Sequence, residues 1–556
     1  CWSTRVEHYP DKEGALPDIV QCDALVVHRG TLRDGRVVGA VDPQTCRGEI
    51  SCSWCLHSPA ILEVRGEPAP FRYARRFADI DALITWAEQN PEALWENARR
   101  VDAVFGKHNL SSSTDHLLAF TVHTWLANSW WTEPAGKEWF TVWEGSCYYH
   151  STVDVEYTQA PFYLSVWPEL LGLELDEWPG FTVGGEAVIG ERGQGTLVFE
   201  HDMGQLHACN RTCYDHRMPV EENTNYVLLS WAYWRRTKDD SRARRHAEAI
   251  EKALEFVLRC DSTGNGVPDQ GVANTIDDAT PAVQYGKEQV YLAVKALTAF
   301  LVGAELLESV GRNQRVFAFR AQAEKISRVL QDQAWLGDHF ATLVDPSAEG
   351  VLDAWTGKPL GVERLPGWDA AHIYTANGLV LLDMMGMRAP VDEERLRTDL
   401  RIATRRCLTQ YGCRHSDYGP SSSAEARGAQ ETAYANRIGW MSMNMLRDMA
   451  AFYRGVDLTN LSSRYWDFQV LTNTQGPNLF FETFHGNNLC FYPRGVVVFG
   501  YFEALAGARI DRVEQKLEVV PLNAEVEVPL VFFADWKTGA VPSVAGGKLQ
   551  GEVVWT

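Results

Sequence analysis

The sequence predicts a mainly α chain, an (α/α)6 barrel with short β segments at its two ends. Three observations carry this. Apolar residues recur at i, i+3, i+4 and i+7 in about twelve segments between residues 71 and 507. Short turns join most of those segments, and about twelve helices in six antiparallel pairs around one axis bury one stripe each, which reconciles a long chain with a single helical domain. Both ends of the chain switch instead to period 2.

Residues 1–70 form the N-terminal β-rich segment. Runs such as DALVVHRGTL and AILEVRGE alternate between Gly- and Pro-containing breaks, as short strands without a core of their own. Cys22, Cys46, Cys52 and Cys55 lie here. Their spacing leaves a zinc site, a disulfide and buried free thiols open, because it lacks the paired CxxC pattern of a zinc ribbon. Residues 71–510 form the barrel. RYARRFADIDALITWAEQ, PEALWENARRVDAVFG and STDHLLAFTVHTWLANSWW are amphipathic, with Pro91 at a helix start and Ser113 or Thr114 as N-cap of the third. Similar segments follow to residue 507, interrupted by long loops at 139–157, 174–220, 261–281, 335–368 and 471–493. No fixed-period repeat is visible, which disfavours an open solenoid. Residues 511–556 form a C-terminal β segment, from KLEVVPLNAEVEVPLVFFADW to GGKLQGEVVWT, expected to pair with the N-terminal strands.

A net charge of −21 and a pI near 5.2 argue against nucleic acid. The densest basic runs, RRTK from Arg235 and RARRH from Arg242, read as solvated helix faces. No apolar run looks long enough to span a bilayer, which takes about 18 residues, and no signal peptide is visible. The chain begins at Cys1, so an upstream segment is expected to be removed or absent, and the compartment stays open between cytoplasm and exterior. The 20 Trp and 19 Tyr suit either a large core or a cleft whose rings cover sugar faces.

Three stretches carry candidate chemistry. WFTVWEGSCYYHSTVDVEY, residues 139–157, holds Trp143, Glu144 and Asp154 among aromatic rings. A glutamate fixed between rings suits a nucleophile, and Asp154 suits sugar hydroxyls or the cap of the next helix. TLVFEHDMG ends in His201 and Asp202, both able to bind hydroxyls. DSTGNGVPDQGVANTIDD alternates Asp261, Asn265 and Asp269 with glycines in the manner of a hard-cation cage, here a structural calcium ion, or of a turn capped by its own side chains. It ends in Asp277-Asp278, one of which suits a general acid while the other caps the following helix. Trp368, with Asp369 and His372, and the stretch holding Glu482, His485, Asn487, Asn488, Tyr492 and Arg494 complete the candidates.

In their order, WEGSCYYHSTVD, FEHDMG, TIDDATPAVQYGKEQVYLAVK and FYPRGVV resemble glycoside hydrolase family 52, the β-xylosidases, and the related family 116, the β-glucosidases. The resemblance covers roughly residues 75–507. It implies an (α/α)6 catalytic barrel preceded by a β-sandwich, of which the terminal β segments would be a remnant or a part. It implies a retaining, exo-acting β-glycosidase with an oligosaccharide or glycoside substrate. Glu144 takes the nucleophile position, Asp277 that of the acid/base with Lys295 as the lysine of the following helix, and Asp154, His201, Asp202 and Arg494 those of substrate-binding groups. The related family's Asp/Gly-rich calcium loop before its acid/base supports calcium at 261–269. Trp143, Ser146, Cys147 and Ser151 depart from the family pattern beside the nucleophile, so xylose, glucose and a pentofuranose such as arabinofuranose all remain expected sugars. A phosphorylase on a similar barrel and a non-catalytic glycan-binding protein are the alternatives.

Overall fold

The computed structural model describes residues 60–272, 275–276, 280–352, 357–418, 438–472, 479–484 and 489–555, with His57 and short stretches at 10–11, 14–15, 25–27, 31–33, 36–38 and 53–55. Of the four N-terminal cysteines, Cys22, Cys46 and Cys52 lie outside these residues, and Cys55 ends the strand Ser53–Cys55.

Two compact units divide the chain. The first comprises residues 1–102, 130–140 and 207–210, the second 103–129, 141–206 and 211–556. In the first unit, a three-stranded sheet places Leu62–Val64 between Glu67–Ala69, its antiparallel partner, and Ala208–Cys209, which runs parallel. Helix α1 (Ile80–Gln89) also belongs here, capped by the Asp79 carboxylate, which accepts from the Ala82 amide at 2.8 Å. Helix α2 (Pro91–Phe105) follows it.

Twelve helical segments of the second unit form an outer and an inner set of six, and two short helices, Glu186–Ile189 and Pro281–Tyr285, lie in the loops between them. The outer members are α3 (Ser112–Asn128), α5 (Pro168–Glu177), α7 (Ser241–Arg259), α9 (Val316–Asp332), α11 (Glu393–Cys407) and α13 (Leu461–Thr472). The inner members are α4 (Val153–Val166), α6 (Pro219–Thr237), α8 (Val290–Ser309), α10 (Val380–Met385), α12 (Met441–Phe452) and α14 (Gly500–Ala506). A tighter helical turn leads into α10 at Asn377–Leu379 and another into α14 at Pro493–Phe499. The inner ring closes: α4 packs on α6, α6 on α8, α8 on the start of α10, α10 on α12, and α12 on the Pro493–Phe499 segment, which returns to α4. The fold is mainly α, and the closed ring with its outer partners is the (α/α)6 arrangement.

Sequence chemistry explains which helix takes which layer. Helix α7 buries Ala243, Ala247, Ile250, Leu254 and Val257, one stripe at helical spacing, and turns its charges outward. Inner helices are covered on all sides and lose that contrast. Helix α8 is the extreme case, apolar over 20 residues and long enough by length and composition to cross a bilayer, contrary to the sequence expectation; most of it is buried inside the barrel, where full burial selects the same composition. The two basic runs also separate. Arg242, Arg245 and His246 of α7 pair with Asp176, and Arg244 with Asp240, as expected of a helix face. Arg235 and Arg236 are instead buried, Arg236 fully, against Asp511 and Glu503. They end an inner helix rather than a solvated one, and only buried acids make that tolerable.

After α14 the chain returns to strands. Ala508–Asp511 pairs with Lys516–Val519, and Val528–Pro529, Ser543–Ala545 and Lys548–Gln550 form a sheet in that order. Among the described residues these strands pair with each other and not, as the sequence suggested, with the N-terminal ones.

Candidate active site

The inner helices all run in one sense around the ring, so their N-terminal ends converge. Asp154 is the second residue of α4, Glu221 and Glu222 are the third and fourth of α6, Lys295 lies in the second turn of α8, Ser442 opens α12, and Arg494 precedes α14. Positive helix ends help to tolerate a gathering of buried carboxylates.

Glu144 reaches this place by a loop whose backbone is fixed at several points. Its amide donates to the Tyr149 carbonyl at 2.8 Å, and its carbonyl accepts from the Cys147 amide at 3.1 Å, closing a tight turn. Gly145 sits in that turn at φ +50°, and a Cβ there would lie 2.4 Å from the Cys490 carbonyl oxygen, so glycine is required. The turn is sewn to the segment before Arg494: the Ser146 amide donates to the Cys490 carbonyl, and the Cys490 amide to the Ser146 hydroxyl, each at 3.1 Å. On its other side, the His150 amide donates to Gly204, Met203 to His150, and Val153 to His201. Three stretches far apart in sequence thus meet at one carboxylate.

Both Glu144 oxygens are oriented by hydroxyls. Thr152 donates to Oε2 at 2.5 Å, and Tyr492 donates to Oε1. The side chain keeps part of its surface exposed, whereas Trp143, His150, Ser151 and Thr152 around it are buried. Burial raises its carboxyl above the ordinary value of 4.5; His201 pulls it down, Asp154 pushes it further up, and the two hydroxyls lower it. Asp154 pairs with Arg494, its other oxygen, Oδ1, having no hydrogen-bond partner. Burial works against its charge, but Arg494, then His201 and Lys295, outweigh burial and hold it below the ordinary aspartate value. His201 faces Glu144 and Asp154; burial lowers its pKa, but the Asp202 hydrogen bond and the carboxylates beside it raise it overall.

The remaining sequence-predicted residues fall into supporting positions. Asp202 is fully buried, and its oxygens accept from the amides of Gly204, Cys213 and Tyr214 and the Thr212 hydroxyl at 2.9–3.1 Å while holding His201 Nδ1 at 3.2 Å. It organises the loop and orients the imidazole. Trp143 is buried with its Nε1–H donating to His150 and the Leu206 carbonyl. Trp368 packs on the cluster of Ala282, Tyr285, Leu343 and Leu365, under the Arg364 guanidinium at 5.0 Å. Asp277, the expected acid/base, and Asp278 lie outside the described residues, as do His485, Asn487 and Asn488. Glu482 is fully buried beside Arg494, bonded to the Ser442 hydroxyl, and burial pushes its carboxyl up to about 7.

Sequence reasoning missed Glu221 and Glu222. Two acids in the first turn of a helix read as an ordinary solvated N-terminus. Both are buried: Glu221 accepts from Lys295 at 2.7 Å and Tyr291 at 2.5 Å, and Glu222 from Asn225 at 3.2 Å. The available signal is that EENTN is polar on every side of the helix while the following YVLLSWAYW is apolar on every side, a mark of an inner helix whose first turns face a polar pocket. Atoms of Asp154, His201 and Glu222 lie within 4.8 Å of one another, a metal-like spacing. Arg494 and Lys295 already supply positive charge to this cluster, which suits it to hydroxyls rather than to a cation.

The 261–269 loop has different geometry. Asp261 accepts from the amides of Gly264 at 2.7 Å and Gly266 at 2.9 Å, Asp269 from the Ser262 amide and hydroxyl at 2.5 Å, and Asn265 from the Val267 amide at 2.8 Å. Most of these donors are the loop's own, as in a turn capped by its side chains, and Gln322 Nε2 of α9 adds one more to Asp261 Oδ2 at 3.2 Å.

Comparison with known proteins places these features in context. The family described as the glutaminase A six helical-hairpin domain matches residues 123–348, under half of the chain. Two β-xylosidases of Geobacillus stearothermophilus are 25% identical over 326 residues, covering 52% of this chain and 46% of the relative, and 24% identical over 270 residues, covering 44% and 43%. The chain thus spans less than half the length of these relatives. Among solved structures, a rhamnosidase from Klebsiella oxytoca with rhamnose bound aligns with a TM-score of 0.42 and 10% identity over 71% of this chain and 65% of the other. A family GH78 rhamnosidase of Bacillus sp. GL1 aligns with a TM-score of 0.46 and 13% identity over 79% and 40%.

Proposed function

We propose that this chain is a retaining, exo-acting β-glycoside hydrolase. The observation that carries the reading is Glu144: a partly exposed carboxylate, both oxygens aimed by hydroxyls, beside the Asp154–Arg494 pair and His201 at the convergent ends of the inner helices. Asp277 protonates the glycosidic oxygen as Glu144 attacks the anomeric carbon, giving a covalent glycosyl-enzyme; Asp277 then takes a proton from the water that releases the sugar. Asp154, His201 and Arg494 bind the hydroxyls of the terminal sugar, Asp202 and Trp143 hold the loops that present them, and Trp368 lines the approach. The β-xylosidase relatives make xylose the first sugar to try, with glucose and arabinofuranose after it.

The test is turnover of aryl β-xyloside, β-glucoside and arabinofuranoside, with the anomeric configuration of the first product read by NMR. Retention is expected, together with loss of turnover in Glu144→Gln and a fall of about 10²–10⁴-fold in Asp277→Asn. Inversion, or unchanged turnover in both variants, would overturn the assignment. Turnover that requires phosphate would mark a phosphorylase.

A further inference from the structure

Two carboxyl groups that the reaction does not use are buried next to the Ser151–Thr152 turn that reaches Glu144. Glu156 of α4 and Glu174 of α5 are both fully inaccessible and hydrogen-bonded to each other. Tyr163 donates to Glu156 Oε2 at 2.8 Å, and the Ser151 hydroxyl donates to Glu174 Oε1 at 2.7 Å. The remaining oxygens, Glu156 Oε1 and Glu174 Oε2, find no N–H or hydroxyl donor. Two carboxyls can bond to each other only if one keeps its proton, and two buried like charges in contact do not both ionise.

Ser151 connects this pair to the site. It is fully buried in the left-handed region at φ +45°, a conformation a serine adopts only when held. Its amide donates to the Val142 carbonyl at 2.8 Å, its hydroxyl oxygen accepts from the Val142 amide at 3.1 Å, and its carbonyl accepts from Trp178 Nε1 at 2.9 Å. The next residue is Thr152, whose hydroxyl aims Glu144 Oε2. We propose that Glu156 and Glu174 are positioning residues that share a proton, and that this acid pair clamps the Ser151 turn and thereby sets the Thr152 hydroxyl on Glu144. The proposal rests on the reading of Glu144 as the reacting carboxylate.

The surroundings favour the protonated pair. Burial pushes Glu156 up to about 8, against the opposing hydrogen bonds of Tyr163 and Glu174, with Arg494 lowering and Asp154 raising it further off. Burial, Glu156 and then Glu177 hold Glu174 well above the ordinary value, the Ser151 bond opposing them. Tyr163, the other ionisable neighbour, is kept neutral by burial and by the same two acids.

The test uses the full chain. E174Q keeps an oxygen for Ser151 and supplies an N–H to Glu156 at every pH; kcat is expected within about threefold of wild type. E174A removes the acceptor and is expected to lower kcat about 10–100-fold with KM within about twofold, the pattern of a misplaced reacting group. Should E174A fail to fold, S151A carries the same kcat arm. Melting between pH 5 and 9 reads the pair without turnover. Each acid binds its proton more tightly folded than unfolded, so its stabilisation is complete below the ordinary value of 4.5 and is lost as pH rises through about 8. The wild-type Tm should therefore fall across that window relative to E174Q. Equal slopes, or wild-type kcat in the acceptor-free variant, would overturn the proposal. Absence of glycoside turnover in the wild type would overturn the reading of the reaction, and the acid pair would then stand or fall on the melting slopes.

Discussion

Both ends of the inner ring carry buried charges and use them differently. At the C-terminal ends the charges are matched: Arg236 of α6 forks onto both Glu503 oxygens at 3.1 and 2.8 Å, Ser165 of α4 adds a third bond to that carboxylate, and Arg454 beyond α12 forks onto Asp383 of α10. At the N-terminal ends Glu144, Asp154, Glu221, Glu222 and Glu482 face two fixed cations, Arg494 and Lys295, with His201 between. Oxygens of Asp154, Glu221 and Glu222 have no protein partner there. A buried charge matched by a bidentate opposite charge serves the fold, and a cluster of carboxylates in excess of its cations is available to a ligand's hydroxyls.

Substitutions should separate the two ends. Glu144→Gln, the largest expected effect, should lower kcat at least about 10³-fold while leaving the melting curve close to wild type, because the amide keeps the shape and both hydroxyl contacts. At the other end, Glu503→Gln leaves Arg236 buried with half its partner; urea unfolding should show a loss of about 3–5 kcal/mol, with kcat of the folded fraction within about twofold. If Glu503→Gln removed activity without touching stability, the division between the ends would fail. Arg494→Lys removes the guanidinium whose Nη2 holds Asp154 Oδ2 and should cost about 10²-fold in kcat/KM.

A pH profile sharpens the same contrast. Catalysis needs Glu144 ionised, and burial raises its carboxyl, so kcat/KM should fall as pH drops through a value above the ordinary 4.5. An acid limb at or below 4.5 would mean that His201 and the hydroxyls outweigh burial. The smallest effects belong to the 261–269 loop, whose carboxylates are satisfied locally. Asp269→Ala removes the two bonds to Ser262 and should cost about 1 kcal/mol in urea unfolding without changing kcat. Chelation should move Tm by no more than about 1 °C; a rise on adding calcium would show a cage that these contacts conceal.

Much of this is legible in the amino-acid sequence. Outer helices such as α7 announce themselves by one apolar stripe, and the long loops between helices hold Glu144 and His201, with Arg494 just past the last of them. Inner helices are harder to read. Helix α8 looks like a bilayer span, and Arg235-Arg236 looks like a solvated run, because local pattern records how a segment is buried and not by what. Glu221-Glu222 was missed for the same reason: whether an acidic first turn meets water or Lys295, 74 residues away, is a property of the ring.

The sequence by itself determined the helical class, the pairing of helices through short turns, and which loops hold aromatic rings, glycines and carboxylates, since periodicity and turn chemistry act over a few residues. Only the tertiary structure decided which carboxylates meet. Asp154 and Glu144 find partners 340 and 348 residues downstream, in Arg494 and Tyr492, whereas Asp269 finds its partner, Ser262, within its own loop. Closing the ring brings the helix N-termini together, and that long-range geometry separates a turn cap from a reactive carboxylate.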